Sequence, residues 1–262
     1  MPFASPDESD VALAAALAWG AGRLLRDLRA ADGAFEDPDL LGDEGDRQAN
    51  EFILAELRAA RPDDAVLSEE SADDPRRLSA ARVWIIDPLD GTRQYKRPNN
   101  RDWAVHIALW ERCPDAAGRI TAAAVGLPDH ATIATTTVDS EDAFDVARPP
   151  HDPPIIVVSD SRPPDVSAVA AVLGARTMSM GSAGAKILAV VRGDADAYIH
   201  WGGQYQWDSA APVAVALAHG FHASRVDGSP LVYNRAETAL PDLVVCRPDL
   251  APQILRALTN EK

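Results

Sequence analysis

Lysine is almost missing from this chain: Lys96, Lys186 and Lys262 are the only three in 262 residues, so arginine carries nearly all the positive charge. Positive charge is itself in deficit. Against 25 Lys and Arg stand 40 Asp and Glu, giving a formal net charge of −15. That balance excludes a protein built to grip a nucleic-acid backbone, which is held by surplus Lys and Arg, although a small anion can still bind locally. Cysteine is scarce too. Cys113 and Cys246 lie far apart with no CxxC spacing, which rules out a disulfide framework and fits a reducing compartment. Long apolar runs are also lacking: Val11 to Trp19 is too short to cross a bilayer, and Met1 to Asp10 carries acids and no basic start. The expectation is a soluble, cytoplasmic protein without a membrane partner. There is no internal repeat and no low-complexity tract.

What is present is 47% apolar content, enough for a packed core in one large domain or two modest ones. Ser5-Pro6-Asp7-Glu8 reads as a helix start, with Ser5 as N-cap, leading into an Ala/Leu-rich stretch that ends near Arg29. Phe52, Ile53, Leu57 and Ala60 recur at helical spacing and predict a second helix over Asn50 to Ala60, with Asp46 just ahead of it. From Arg82 the pattern turns to β: Val83 to Ile86, then Val105, Ile107 and Leu109 in alternation, then Ile120 to Val125 and Ala131 to Thr137, as neighbouring antiparallel strands. Four prolines within Ala147 to Pro154 punctuate the chain most strongly and suggest a domain boundary. Residues 1–147 form an N-terminal α+β domain in this reading, and 155–262 a C-terminal α/β domain. In the latter, Ile155–Val158, Ala195–Ile199 and Leu243–Cys246 read as strands. Val166–Leu173, Ser182–Val191, Trp207–His219 and a segment from about Ala251 read as helices, with a hairpin turn at Asp227-Gly228.

The sharpest chemical feature is Asp87-Pro88-Leu89-Asp90-Gly91-Thr92, which follows the apolar run Val83 to Ile86. A buried strand ending in two aspartates delivers hard oxygen ligands to one point, and such oxygens suit Mg2+. Three further acids stand in comparable places. Glu69 follows the short run Val66-Leu67-Ser68, Asp208 opens an apolar helix, and Asp46 precedes another. On their own residues each also reads otherwise: Asp87 to Thr92 as an acidic turn, Glu69 and Glu70 as a solvated patch, Asp46 and Asp208 as helix N-caps.

Taken together, these segments resemble the inositol monophosphatase-like, lithium-sensitive phosphatases. Trp84 to Thr92 is similar to that family's first signature and Trp207-Asp208-Ser209-Ala210-Ala211-Pro212 to its second. Asp46, Glu69, Gly181-Ser182-Ala183, Gly193 to Tyr198 and Asp227-Gly228 also fall where the family has them, so the resemblance covers nearly the whole chain. It implies a layered αβαβα sandwich of the inositol monophosphatase and fructose-1,6-bisphosphatase type. It also implies a phosphomonoesterase holding two Mg2+ ions, with a third, weaker one near Glu69 and Asp46 left open. By the resemblance, Glu69, Asp87 and the Leu89 carbonyl would hold one ion; Asp87, Asp90 and Asp208 would hold the other. Thr92 paired with Asp46 would orient and deprotonate the attacking water, and Gly91 and Thr92 would bind the phosphate at a helix N-terminus.

Within the superfamily, Asp90-Gly91-Thr92-Arg93-Gln94-Tyr95 and Asp102 to Leu109 are similar to the CysQ-type subgroup, which acts on 3'-phosphoadenosine 5'-phosphate. His200 stands where inositol-directed members place a glutamate, and a His would tolerate a second phosphate. Gly181-Ser182-Ala183-Gly184-Ala185-Lys186 departs from the Gly-Ser-Ser-Leu-Lys of many bisphosphate nucleotidases, leaving Ser182, Lys186 and an arginine between Arg93 and Arg101 as substrate contacts by analogy. The resemblance thus implies a small-molecule partner, a nucleotide bisphosphate, processed in sulfate assimilation, and a homodimer. Two alternatives stay open: an inositol or fructose-bisphosphate phosphatase of the same fold, and a non-catalytic sensor.

Overall fold

The computed structural model describes residues 8–113, 118–138 and 144–259. Two long helices come first, α1 (Asp10–Ala30) and α2 (Pro38–Ala60). They are followed by β1 (Ala65–Ser68), β2 (Arg82–Asp90), the single turn α3 (Thr92–Tyr95), β3 (Ala104–Glu111), β4 (Arg119–Leu127) and β5 (Thr132–Thr135). These strands form one sheet in the order β1-β2-β3-β4-β5; β1 runs parallel to β2 and the other pairs are antiparallel. The second sheet takes β6 (Ile155–Ser159), β7 (Arg176–Met180), β8 (Ala197–Tyr205), β9 (His222–Ser224) and β10 (Ala239–Cys246) in the order β7-β6-β8-β10-β9. Among them run α4 (Ser167–Leu173), α5 (Ala183–Arg192), α6 (Gln206–Ala218) and α7 (Ala251–Thr259).

Period-two alternation explains the layering. In β2, Trp84 and Ile86 enter a core with Leu13, Leu17, Leu25 and Ile53 of α1 and α2. Val83 and Ile85 point the other way, into a core shared with Ile187 and Leu188 of α5, Val213 and Val215 of α6, and Leu243 and Val245 of β10. The opposite face of the second sheet, with Ile156, Ile199 and Val244, packs on Val169 of α4 and Ile254 and Leu258 of α7. The result is helix, sheet, helix, sheet, helix: the expected αβαβα sandwich. Because β2 and β3 are covered on both faces, their sequences are apolar almost throughout.

The structure departs from the sequence reading in four places. Ser5, Pro6 and Asp7 lie outside the described residues; the N-cap seen for α1 is Ser9, whose Oγ accepts from Ala12 N at 3.2 Å. The second helix begins at Pro38, capped by Asp37, so Asp46 is not near its start but well inside it. Gly42 and Gly45 disguised that first half, since glycine weakens a helix. Here they serve packing: a Cβ on Gly45 would stand 2.9 Å from Tyr95 Cε1, and one on Gly42 2.0 Å from Lys96 Cε. Asp227-Gly228 does form a turn, closed by Gly228 N to Arg225 O at 3.0 Å, but β9 pairs with β10 across a longer loop, not through a two-residue hairpin. Finally, the short strands β7 and β9 had no sequence signal strong enough to anticipate them.

Candidate active site

Asp87 and Asp90 are three residues apart, so on a regular strand their side chains would point to opposite faces. A register shift against β3 lies between them: Asp87 pairs with His106, and Asp90 already pairs with Ala104. The shift accommodates Pro88, which an inner strand otherwise excludes, and turns both carboxylates the same way. Gly91 then takes φ +90°, where a side chain is strained and its Cβ would also press on the Asp102 carbonyl at 3.0 Å.

Asp208, in the first turn of α6, completes the cluster. Ligand oxygens of Asp87, Asp90 and Asp208 lie within 4.8 Å of one another. Asp208 also does what an acid at a helix start commonly does: its Oδ2 accepts from Tyr205 N at 2.6 Å. Glu69, just past the end of β1, faces Asp87 but stands outside that 4.8 Å cluster. On the other side, Thr92 Oγ1 lies 3.3 Å from Asp46 Oδ1 and 3.2 Å from the Leu89 carbonyl, so the hydroxyl proton is shared between two acceptors. The expected Thr92 and Asp46 pair is therefore in contact. The helix that Thr92 opens is a single turn, too short to carry the helix-end field that the sequence reading gave the phosphate.

The electrostatics are unbalanced in a way that calls for a cation. Burial, then Glu69, Asp90 and Asp208, push Asp87 well above the usual carboxylate range. Burial and the neighbouring acids likewise push Asp46 up to about 8 and Asp208 to about 7, and partial desolvation with Asp90 and Glu70 nearby lifts the more exposed Glu69 to about 6. Asp90 is the exception. Burial would raise it too, but His106, Lys186 and Ser182 outweigh this and bring it down to about 2. Its Oδ2 accepts from Ser182 Oγ at 2.5 Å and Gly184 N at 2.7 Å. Asp87 Oδ1 accepts from Leu89 N at 3.1 Å, whereas its buried Oδ2 has no donor among the described residues. A buried carboxylate oxygen without a donor, next to two further carboxylates, is a place a divalent metal fits.

Sequence reasoning missed His106. This fully buried imidazole donates from Nδ1 to the Trp207 carbonyl at 3.1 Å and sets Nε2 3.3 Å from Asp90 Oδ2, though without hydrogen-bond alignment. It thus links the Asp87–Asp90 strand to the helix that brings Asp208. Gly184 makes room for it, since a Cβ there would stand 2.1 Å from Nε2. The one available signal was a polar residue in the otherwise apolar run Val105 to Leu109.

The carboxylates open onto a cleft of roughly 500 Å3 whose lining includes Arg93, Gln94, Arg162, Ser182, Lys186 and His200. Ser182 caps α5, with Oγ accepting from Ala185 N at 3.0 Å. Lys186 is buried; its Nζ donates to the Ser182 carbonyl and lies 5.2 Å above the Tyr198 ring. His200 donates from Nε2 to the Gly202 carbonyl at 2.7 Å, which leaves Nδ1 as an acceptor, buried and without a partner among the described residues. Arg93 is exposed at the rim.

Known proteins resemble this chain in sequence and in fold. A 3'-phosphoadenosine 5'-phosphate phosphatase of Mycobacterium leprae is 52% identical over 252 residues, covering 94% of this chain and 92% of the relative. The crystal structure of CysQ from Bacteroides thetaiotaomicron superposes with a TM-score of 0.77 at 26% identity, covering 92% of this chain and 98% of that one. Inositol monophosphatase II of Staphylococcus aureus also gives 0.77, at 21% identity and 93% coverage of each chain, a likeness of fold alone. The sequence model of the inositol monophosphatase family matches residues 7–261, and with the carboxylates gathered as described the chain belongs to that family.

Proposed function

We propose that this chain is a Mg2+-dependent phosphomonoesterase that removes the 3'-phosphate of 3'-phosphoadenosine 5'-phosphate, giving AMP and phosphate. The observation that carries the reaction class is the cluster of Asp87, Asp90 and Asp208, in which Asp87 Oδ2 has no donor among the described residues. The substrate class is supported by the name of the 52% identical relative from Mycobacterium leprae.

In this reading Glu69, Asp87, the Leu89 carbonyl, Asp90 and Asp208 hold two Mg2+ ions, with a third, weaker site near Glu69 and Asp46. Bound there, Mg2+ would offset the carboxylate charge, attract the substrate phosphate and make water more acidic. The chain's own groups do the rest. Asp46, half-buried and touching Thr92, would in its ionised form take the hydroxyl proton while the Thr92 oxygen takes one from the attacking water. Gly91 and Thr92 place backbone N–H groups beside the phosphate. His106, Ser182 and the Gly184 N–H hold Asp90 ionised and aimed at the cluster.

We further propose that residues 1–147 supply most ligands and 155–262 supply Asp208 and the specificity elements, and that the protein works as a cytoplasmic homodimer in sulfate assimilation. Among the described residues no helix is long and apolar enough to cross a membrane. Nucleic acid has no part in this reading, given the charge of −15.

Rates on 3'-phosphoadenosine 5'-phosphate, inositol 1-phosphate and fructose 1,6-bisphosphate with Mg2+ test the proposal. The nucleotide is expected to win clearly, with Li+ inhibiting and Asp90→Asn abolishing turnover in a folded chain. Equal or faster turnover of inositol phosphate would overturn the substrate, and an active Asp90→Asn would overturn the metal site.

A further inference from the structure

Arg93, Arg162 and Lys186 line the cleft, and the chemistry above gives none of them a role. Arg162 follows β6 on a tight turn where Ser159 Oγ accepts from the backbone N–H of Ser161 at 3.3 Å and of Arg162 at 3.2 Å. The turn delivers the side chain onto the rim of β8, where Gly202 and Gly203 take φ +76° and +67°. A Cβ on Gly203 would stand 2.6 Å from Arg162 Nη1, so glycine gives the guanidinium its resting place.

Of the other charges nearby, most are paired and Arg93 stands at a different place. Lys186 is buried and donates to the Ser182 carbonyl. Asp160, the acid next to Arg162 in sequence, accepts from Gln94 at 3.0 Å and has Arg97 at 3.9 Å. Arg101 is tied to the Asp129 carbonyl. Arg93 stands next to Thr92, at the reacting end. Arg162, like Arg93, has no carboxylate at ion-pair distance among the described residues, but it rests on the β8 rim beside Gly203, away from Thr92, and lines the cleft shared with Asp90 and Asp208. Burial, Lys186 and Arg162 keep the pKa of His200 below its ordinary value. This wall of the cleft therefore offers an anion a guanidinium and a neutral ring.

We infer that Arg162 anchors the phosphate that does not react, its two-pronged guanidinium taking two phosphate oxygens while the other phosphate lies at the carboxylates. A cleft of roughly 500 Å3 is of the size that holds a nucleotide. The inference rests on the nucleotide-bisphosphate reading above, and it names a residue outside the set assigned from sequence.

The test compares kcat/KM for adenosine 3',5'-bisphosphate and adenosine 3'-monophosphate in the wild type and in Arg162→Gln. Wild type is expected to prefer the bisphosphate, and Arg162→Gln to lower that ratio about 10- to 100-fold, mainly through KM. A wild-type ratio retained in the variant, or an equal loss on both substrates, overturns the role of Arg162 and leaves the substrate reading standing. A wild type without preference overturns both. If Arg162→Gln fails to fold, Arg162→Lys, which keeps the charge without the fork, must shift the ratio the same way.

Discussion

Ser182 Oγ donates to Asp90 Oδ2 at 2.5 Å while accepting from Ala185 N, so the residue that caps α5 also fixes a carboxylate at the end of β2. Helix start and metal cluster share one hydroxyl.

Ser182→Ala removes both bonds. Loss of the cap should cost about 1 kcal/mol in thermal or denaturant unfolding. The freed carboxylate should raise the Mg2+ concentration for half-maximal binding about 10- to 100-fold, read by calorimetry. Ser182→Gly, which relieves the φ of +53° at this position without restoring either bond, should show the same loss of metal affinity. A variant with wild-type affinity would deny Ser182 its role.

Gly184→Ala should push the His106 ring away from Asp90, lowering stability by about 1–3 kcal/mol and weakening Mg2+ binding as well. The smaller side chain in His106→Asn should relieve the clash, so the double variant is expected to be more stable than the sum of the single losses allows. Strict additivity in unfolding measurements would refute the contact.

Metal-free protein should lose stability as pH rises. Glu69, Asp208 and Asp46, at about 6, 7 and 8, all titrate above the unfolded carboxyl value near 4. The folded state thus holds these protons more tightly; the benefit is complete below about pH 4 and is lost as pH climbs through 6 to 8. Asp90 acts in the opposite sense, but its contribution disappears only as pH falls toward about 2. Melting after chelation should therefore fall between pH 5 and 8, and Mg2+ should restore more at pH 8 than at pH 5. A chelated protein whose melting temperature rises over that interval contradicts this.

The legible parts of the site were those whose residue type states the chemistry. Asp87, Asp90 and Asp208 converge as read, and Thr92 meets Asp46 although the helix carrying Asp46 begins earlier than expected. What stayed hidden depends on contacts between distant segments. Gly42 and Gly45 look like helix breakers until Lys96 and Tyr95 are seen against them. His106 lies in a strand buried on both faces, where alternation marks no inner side. The register shift that aligns Asp87 with Asp90 has a sequence trace in Pro88, but its direction is set by β3. Arg162 gave no signal at all, being one arginine among many.

The convergence of Asp87 and Asp90 from β2 with Asp208 from α6 also bears on how the chain acquires its metal during folding. The first sheet can pair from local, mostly antiparallel contacts and thereby set two carboxylates side by side. Asp208 comes from α6, which packs with α5 between the sheets, so bringing it to the other two closes a long stretch of chain and is expected to follow the pairing of the first sheet. A half-folded chain thus bears two of the clustered ligands and not the third, so tight divalent binding should emerge late in refolding and mark the completed sandwich.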